Sequence, residues 1–174
     1  KFLKPLLNGE KRICYSMTEK AAGADATGMK TTAVRKGNDA YELNGEKWFS
    51  SAASVADIAL VMAKTNPEAP RHQQFSTFIV ELPNPGYKIV RNIKTMAAEG
   101  PLSHILGGGH SEIKIENLVV PAENLLGGEG NGFNMGQHRL AYGRLRHGMH
   151  NVAMAQRALD MAVKHVTSRS TFGK

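Results

Sequence analysis

The sequence predicts a mainly β protein, an antiparallel β-barrel or sandwich, that ends in a long C-terminal α-helix. Up to about Leu126 the chain reads as short strand-like runs separated by Gly, Pro and Asn. From Phe133 to about Ser168 there is no proline, and apolar residues return at helical spacing through Met149, Val152, Leu159, Val163 and Val166. With 41% hydrophobic and 6% aromatic residues among 174, the composition is that of ordinary soluble proteins. The length suffices for one good core, or for one domain plus part of another.

The strand candidates are residues 12–18, 30–36, 40–43, 47–51, 58–65, 75–81, 87–91 and 112–120. In the first, Ile13, Tyr15 and Met17 fall on one face and Cys14, Ser16 and Thr18 on the other. The chain then breaks into Ala21, Ala22, Gly23 and Ala24 before Asp25. Residues without bulk let backbone amides come close to a ligand, and turned amides can hold an anionic oxygen. Thr18 stands at the rim of this turn, where its hydroxyl can meet a planar heterocycle. Asn44-Gly45 reads as a hairpin turn between the third and fourth candidates. Residues 66–71 and 83–86 are turns, and the Gly-rich stretch 95–110, without periodicity, is a loop. No internal repeat is present.

Residues 127–132, GGEGNG, look like a nucleotide loop, but they lack the Rossmann spacing and no βαβ unit surrounds them. They read as a flexible link, which places a boundary between residues 1–126 and 127–174. A helix of some 35 residues is about 50 Å long, more than a small barrel covers. Its apolar stripe is therefore expected to meet something outside this chain. Ala153, Ala155, Ala158 and Ala162 leave room for a close neighbour. Gly143 and Gly148 weaken the first third and allow a kink.

Composition excludes several classes. The net charge is +7, from 22 Lys and Arg against 15 Asp and Glu. The basic residues are scattered apart from Arg139, Arg144, Arg146 and Arg157, and none interleave with aromatics as a single-strand binder requires. A phosphate-rich small ligand suits this balance better than nucleic acid. No apolar run approaches the ~20 residues of a membrane span. The single cysteine, Cys14, cannot form an internal disulfide and points to a reducing, intracellular compartment. His147 and His150 lie one helical turn apart but have no HExxH pattern or carboxylate partner, so no metal site is expected. No Gly-x-Ser-x-Gly elbow is present, and the cysteine has no marked base beside it. Gly107 to His110 has no role by this reading. The abrupt start at Lys1 reads as mid-domain, and the chain is expected to be a fragment.

Four stretches in order, CYSMTEKAAGADATGMKTT (14–32), YELNGEKWFSS (41–51), VVPAENLLGGEGNGF (119–133) and SRSTFGK (168–174), resemble the acyl-CoA dehydrogenase family of flavoenzymes. There the signatures read as an aromatic, two residues, Thr-Glu, a small-residue turn and Ser-Asp; then Asn-Gly-x-Lys-x-Trp-x-Thr; then Val-Pro-x-x-Asn; then a helix ending Arg-x-x-Phe-Gly. The resemblance implies a middle β-barrel domain over 1–126. Over 127–174 it implies the first long helix of an incomplete helical-bundle domain.

It also implies FAD as cofactor. Tyr15, Met17 and Thr18 match positions lining the isoalloxazine ring, where backbone and hydroxyl groups bond its heteroatoms, and Gly23 lies near the pyrophosphate. Phe49, Ser50 and Ser51 match the second strand, where Phe packs on the ring and Ser keeps a hydroxyl near flavin N5 and O4. Arg169, Ser170 and Thr171 match residues that approach the FAD of a neighbouring subunit, with the arginine suited to the pyrophosphate as a bidentate donor. For substrate binding, Ala24 stands where the family has a Ser that touches coenzyme A, so that hydrogen bond is missing. Arg144 alone keeps its usual identity in the acyl-CoA-contacting segment 141–144. Lys20 stands where Pro is common, so the turn is expected to differ. Gly143 occupies the position of the catalytic Glu in some branches, and glycine takes no proton. The base is therefore expected outside this chain, and no catalytic residue within it. The pattern Arg139-Leu140, Gly143-Arg144, His147 looks closer to the branch related to larger multidomain members.

The activity implied is α,β-dehydrogenation of an acyl-CoA thioester. A carboxylate removes the α-proton, and the β-hydrogen leaves as hydride to flavin N5. Electron-transferring flavoprotein is the implied acceptor, and a homodimer or homotetramer the implied assembly. The compartment would be cytoplasmic in a bacterium, and mitochondrial or peroxisomal in a eukaryote. The isolated fragment is expected to bind FAD weakly and turn over nothing. Two other readings stand beside it. One is the same scaffold with other flavin chemistry, an acyl-CoA oxidase or nitroalkane-type oxidase; the other is a basic all-β binding module without enzymatic role.

Overall fold

The computed structural model describes residues 1–95 and 109–173, which form two compact units, Lys1–Met135 and Gly136–Lys174. In the first unit a short helix, α1 (Leu3–Leu7), precedes β1 (Ile13–Ser16), β2 (Thr32–Lys36), β3 (Ala40–Ser51) and β4 (Ile58–Lys64). β5 (Phe75–Glu81), β6 (Tyr87–Ile93), β7 (His110–Pro121) and the two-residue β8 (Leu125–Leu126) follow. The long helix α2 spans Gly132–Ser168 and carries the chain into the second unit.

The strands make one sheet in the order β6-β7-β3-β2-β4-β5-β8, with β1 beside β4. Most pairs are antiparallel, as the short, turn-punctuated runs predict, but the sheet is mixed: β1 and β2 both run parallel to β4. They share one edge of β4, β1 pairing with Ile58 to Val61 and Thr32 of β2 with Lys64. The reason lies in the connection. Residues 17–31 are too long for a tight hairpin and let the chain return in the same direction.

β4 and β5 are buried on both faces, which accounts for the unbroken apolar run Ile58 to Ala63 in β4. Ala59, Val61 and Ala63 of β4, with Phe78 and Val80 of β5, join the larger core. Met62 and Phe75, of opposite parity, join a smaller cluster with Ala22 and Met29. β1 alternates between the same two clusters. Cys14 lies in the larger one, while Tyr15 and Met17 pack on the smaller. Burial pushes the Cys14 thiol pKa upward, away from reactive thiolate.

Two sequence expectations are corrected. Asn44-Gly45 is not a hairpin turn; β3 runs unbroken through it. The irregularity lies in its partner β7, where an extra residue opposite Leu43–Gly45 makes a bulge. Asn117 there has φ +47°, and its amide donates to Asn44 Oδ1 at 2.8 Å. Asn-Gly is the commonest short-range hairpin signal, but here Gly45 meets another backbone. A Cβ on it would lie 2.7 Å from Thr31 Cα. The segment 127–132 is not a loose link either. The Gly130 amide donates to Ser76 Oγ at 3.0 Å, and a Cβ on Gly132 would lie 2.8 Å from Ser76 Cα. Just beyond, Phe133 stacks on His72 with centroids 4.6 Å apart. Of the loop expected over 95–110, residues 96–108 lie outside the described residues. In the second unit α2 is helical without interruption, and Met149, Val152, Leu159, Val163 and Val166 are all exposed.

Candidate functional site

β1 ends beside the middle of β3. The Trp48 amide donates to Thr18 O at 2.7 Å, and the Ser16 and Ser50 hydroxyls bond each other at 2.9 Å. The first two motifs, far apart in sequence, are therefore one continuous edge. Opposite Ile113 to Ser111 of β7, β3 gains an extra residue at Trp48–Phe49, and Phe49 takes a left-handed φ of +55°. Such a conformation is costly for a bulky side chain, and bulges of this kind re-aim side chains next to functional sites. Phe49 is turned out to 45% exposure. Beside it the exposed Ser51 hydroxyl bonds His110 Nδ1 at 2.8 Å, and the Phe49 and His110 rings meet edge to face at 6.0 Å. Trp48 is held between two cations, Lys20 Nζ and the Arg91 guanidinium, each 5.4 Å from its ring centroid.

Beneath this edge lies a buried ion pair. Lys47 Nζ donates to Glu19 Oε1 at 2.9 Å and to Met17 O at 3.0 Å. Glu19 also accepts from the Lys30 amide at 2.6 Å and the Thr31 amide at 3.0 Å. Both side chains are within 2% of complete burial. Burial pushes the Lys47 pKa down to about 8 even though Glu19 works to raise it. For Glu19 burial works upward, but the Lys47 charge and the amide donors outweigh it and hold the carboxyl below its ordinary value. The pair thus fastens the end of β1, the loop 17–31 and β3 to one another. Sequence reasoning assigned these two residues no role. Both lie inside the quoted motifs, Thr18-Glu19 and Asn44-Gly45-x-Lys47, yet nothing in their spacing says that the motifs abut.

The structure brings Tyr15, Met17, Thr18, Phe49, Ser50 and Ser51 together and sorts what each presents. Tyr15 and Met17 turn their side chains to the smaller core. The Ser50 hydroxyl is buried, bonded to Ser16, which in turn bonds Tyr87 Oη at 2.8 Å. Ser50 therefore presents main chain rather than its hydroxyl. Thr18, Phe49 and Ser51 retain accessible side chains. Gly23 and Ala24 are exposed on the next loop, which opens with a tight turn, the Ala22 amide donating to Glu19 O at 3.1 Å. That loop is stapled by Arg71, which donates to Asp25 Oδ2 at 2.7 Å and Thr27 Oγ1 at 2.6 Å. Arg144, Arg169, Ser170 and Thr171 belong to the second unit and are exposed. Arg144 donates to Gln137 at 3.0 Å. Among the described residues no three His, Cys, Asp or Glu side chains could share a metal ion, and no helix is long and apolar enough to cross a membrane.

A mixed eight-stranded sheet followed by a long helix is the architecture of the acyl-CoA dehydrogenase middle and C-terminal domains. The model of the acyl-CoA dehydrogenase middle domain matches residues 14–107 and that of the C-terminal domain residues 130–174. The chain belongs to the acyl-CoA dehydrogenase family. It is 39% identical over 177 residues to acyl-CoA dehydrogenase family member 11 of Gallus gallus, covering 99% of this chain and 22% of that protein. It is 38% identical over 174 residues to the caffeyl-CoA reductase-Etf complex subunit CarC of Acetobacterium woodii, covering 100% of this chain and 44% of that one. The structure of an acyl-CoA dehydrogenase complexed with FAD from Bacillus anthracis superposes with a TM-score of 0.77 at 34% identity, covering 100% of this chain and 28% of that one. The chain spans less than half the length of these curated relatives.

Proposed function

We propose that the full-length protein is an FAD-dependent acyl-CoA dehydrogenase and that residues 1–174 supply one bed of the flavin and part of the substrate wall. The observation that carries this is the joined edge of β1 and β3, where Thr18 O meets the Trp48 amide at 2.7 Å beside an outward-turned Phe49. The donor set suits a flavin. An aromatic face and two hydroxyls, Thr18 and Ser51, match a flat ring with heteroatoms along one edge, and the unbulky turn at Gly23 suits a diphosphate. Bound FAD would supply the two-electron acceptor for the β-hydrogen of an acyl-CoA, taken as hydride at N5.

In this reading the Thr18 and Ser51 hydroxyls orient the ring's polar edge, and Phe49 excludes water from its face. Lys47 keeps the Met17 carbonyl from drifting. Ala24 leaves the coenzyme A portion without the usual hydroxyl contact, and Arg144 is the residue of segment 141–144 that keeps the family's identity for binding the acyl-CoA. Arg169, Ser170 and Thr171 hold the diphosphate of a sister subunit, which makes the working protein a homodimer or homotetramer. The general base lies outside this chain. Reducing equivalents pass to an electron-transferring flavoprotein; the Acetobacterium relative is a subunit of a caffeyl-CoA reductase-Etf complex.

The test is the visible spectrum of the full-length protein as purified, followed anaerobically during addition of a panel of acyl-CoAs. A bound flavin that bleaches with an acyl-CoA supports the proposal; a protein without flavin overturns it. Arg169→Ala is expected to weaken FAD binding about tenfold or more, the worth of a charge-assisted hydrogen bond. Equilibrium dialysis against FAD measures it, and an unchanged affinity removes Arg169 from the site.

A further inference from the structure

We infer that His110 is a positioning residue for the flavin, acting through Ser51. The inference rests on the flavin-binding reading above and adds to it a residue that neither the motif spacing nor the resemblance singled out.

Ser51 follows the β3 bulge and is exposed. An exposed serine hydroxyl in water samples three rotamers and holds its oxygen nowhere in particular. Here His110 Nδ1 lies 2.8 Å from that oxygen and selects one position. The imidazole is itself held. It stands at the first residue of β7, paired across the sheet with Ile93 on one side and Ser51 on the other. Its ring meets Phe49 edge to face at 90° and 6.0 Å, and the Ala52 amide closes the ladder on Gly109 O at 2.8 Å. The same histidine therefore touches both side chains that this strand offers to a ligand.

The chemistry of the pair fits the ligand. A hydroxyl has one donor and two acceptor positions. One is spent on His110, and the rest face outward. A neutral imidazole nitrogen accepts or donates according to its tautomer. The pair can thus present an outward donor or an outward acceptor without moving the oxygen. Flavin N5 asks for that exchange, since it accepts a hydrogen bond when oxidised and carries N–H when reduced. A serine fixed by an apolar neighbour would lack a partner for its second role.

The test uses the full-length protein with its flavin and three variants, His110→Phe, His110→Asn and Ser51→Ala. Phe keeps the ring contact with Phe49 and loses the hydrogen bond; Asn loses the ring and places an amide where Nδ1 was. His110→Phe and Ser51→Ala are each expected to displace the visible flavin band. Each should also change the ratio of affinities for reduced and oxidised flavin about fivefold, the worth of one net hydrogen bond. For a two-electron couple that is about 20 mV of midpoint potential. His110→Asn is expected to keep the wild-type band and potential, and the double variant H110F/S51A to move no further than S51A alone. Wild-type behaviour of His110→Phe, or a shift in His110→Asn equal to that of His110→Phe, overturns the inference while leaving the flavoprotein reading intact. A wild-type protein that carries no flavin overturns both.

Discussion

Replacing Lys47 by methionine is expected to cost the fold about 3–5 kcal/mol, the usual penalty for removing one partner of a buried ion pair. The Glu19 carboxylate, 2% exposed, would be left with the amides of Lys30 and Thr31 but no countercharge. At about 2–4 °C per kcal/mol for a chain of this size, the melting temperature should fall by roughly 10 °C. The double variant K47M/E19L, apolar on both sides, should recover much of this. A melting temperature within a degree of wild type for Lys47→Met would show that the pair holds nothing.

The same pair sets a pH dependence. Glu19 titrates below its ordinary value of 4.5. As pH falls under 4.5 the unfolded chain takes up a proton that the folded one refuses, and stability drops. Lys47 acts at the other end. Between about 8 and its ordinary 10.5 the unfolded chain keeps a proton that the folded one has released, so stability rises with pH across that window. Denaturant midpoints measured against pH should show both limbs, the acid one reduced in Glu19→Gln, where the exposed Asp25, Glu81 and Glu116 still contribute, and the alkaline one lost in Lys47→Met.

Gly45→Ala is expected to be as damaging, at about 2–6 kcal/mol from strain and overpacking together. Gly45 has φ +152°, and a Cβ would meet Thr31 Oγ1 at 2.5 Å and Thr31 Cα at 2.7 Å. The Thr31 Cα is backbone and its Cβ is fixed to it, so neither can swing aside as the hydroxyl can. Thr31 is also the residue whose amide satisfies Glu19 and whose hydroxyl donates to Glu46 O at 3.0 Å. Displacing it loosens the ion pair as well, so Gly45→Ala and Lys47→Met should combine less than additively. Thermal melts of the two singles and the double measure this, and strict additivity would mean that the contacts are independent.

Much was readable before any coordinates. The alternation of Cys14 and Ser16 against Tyr15 and Met17 is what β1 displays, because side chains in a strand must take opposite faces. The helix followed from its apolar spacing and absent proline, and Gly132–Ser168 is helical throughout. The Asn44-Gly45 turn failed for a physical reason. The dipeptide is equally at home where a backbone passes close, and only the arrival of Thr31 distinguishes the two cases. Nor could the motif show that the Ser50 hydroxyl is taken by Ser16 across the sheet, which leaves its main chain to face a ligand.

What the sequence determined alone is therefore local in origin: the kinds of element, their phases, and the motifs by which the chain belongs with the acyl-CoA dehydrogenases. Tertiary structure alone decided that Thr18 abuts Trp48, that Glu19 and Lys47 share one dry pocket, and that His110 stands behind Ser51. Each of these joins residues 28 to 59 positions apart. Such contacts are chosen by which backbone edges and charges must find partners once water is excluded, and no window of neighbouring residues carries that information.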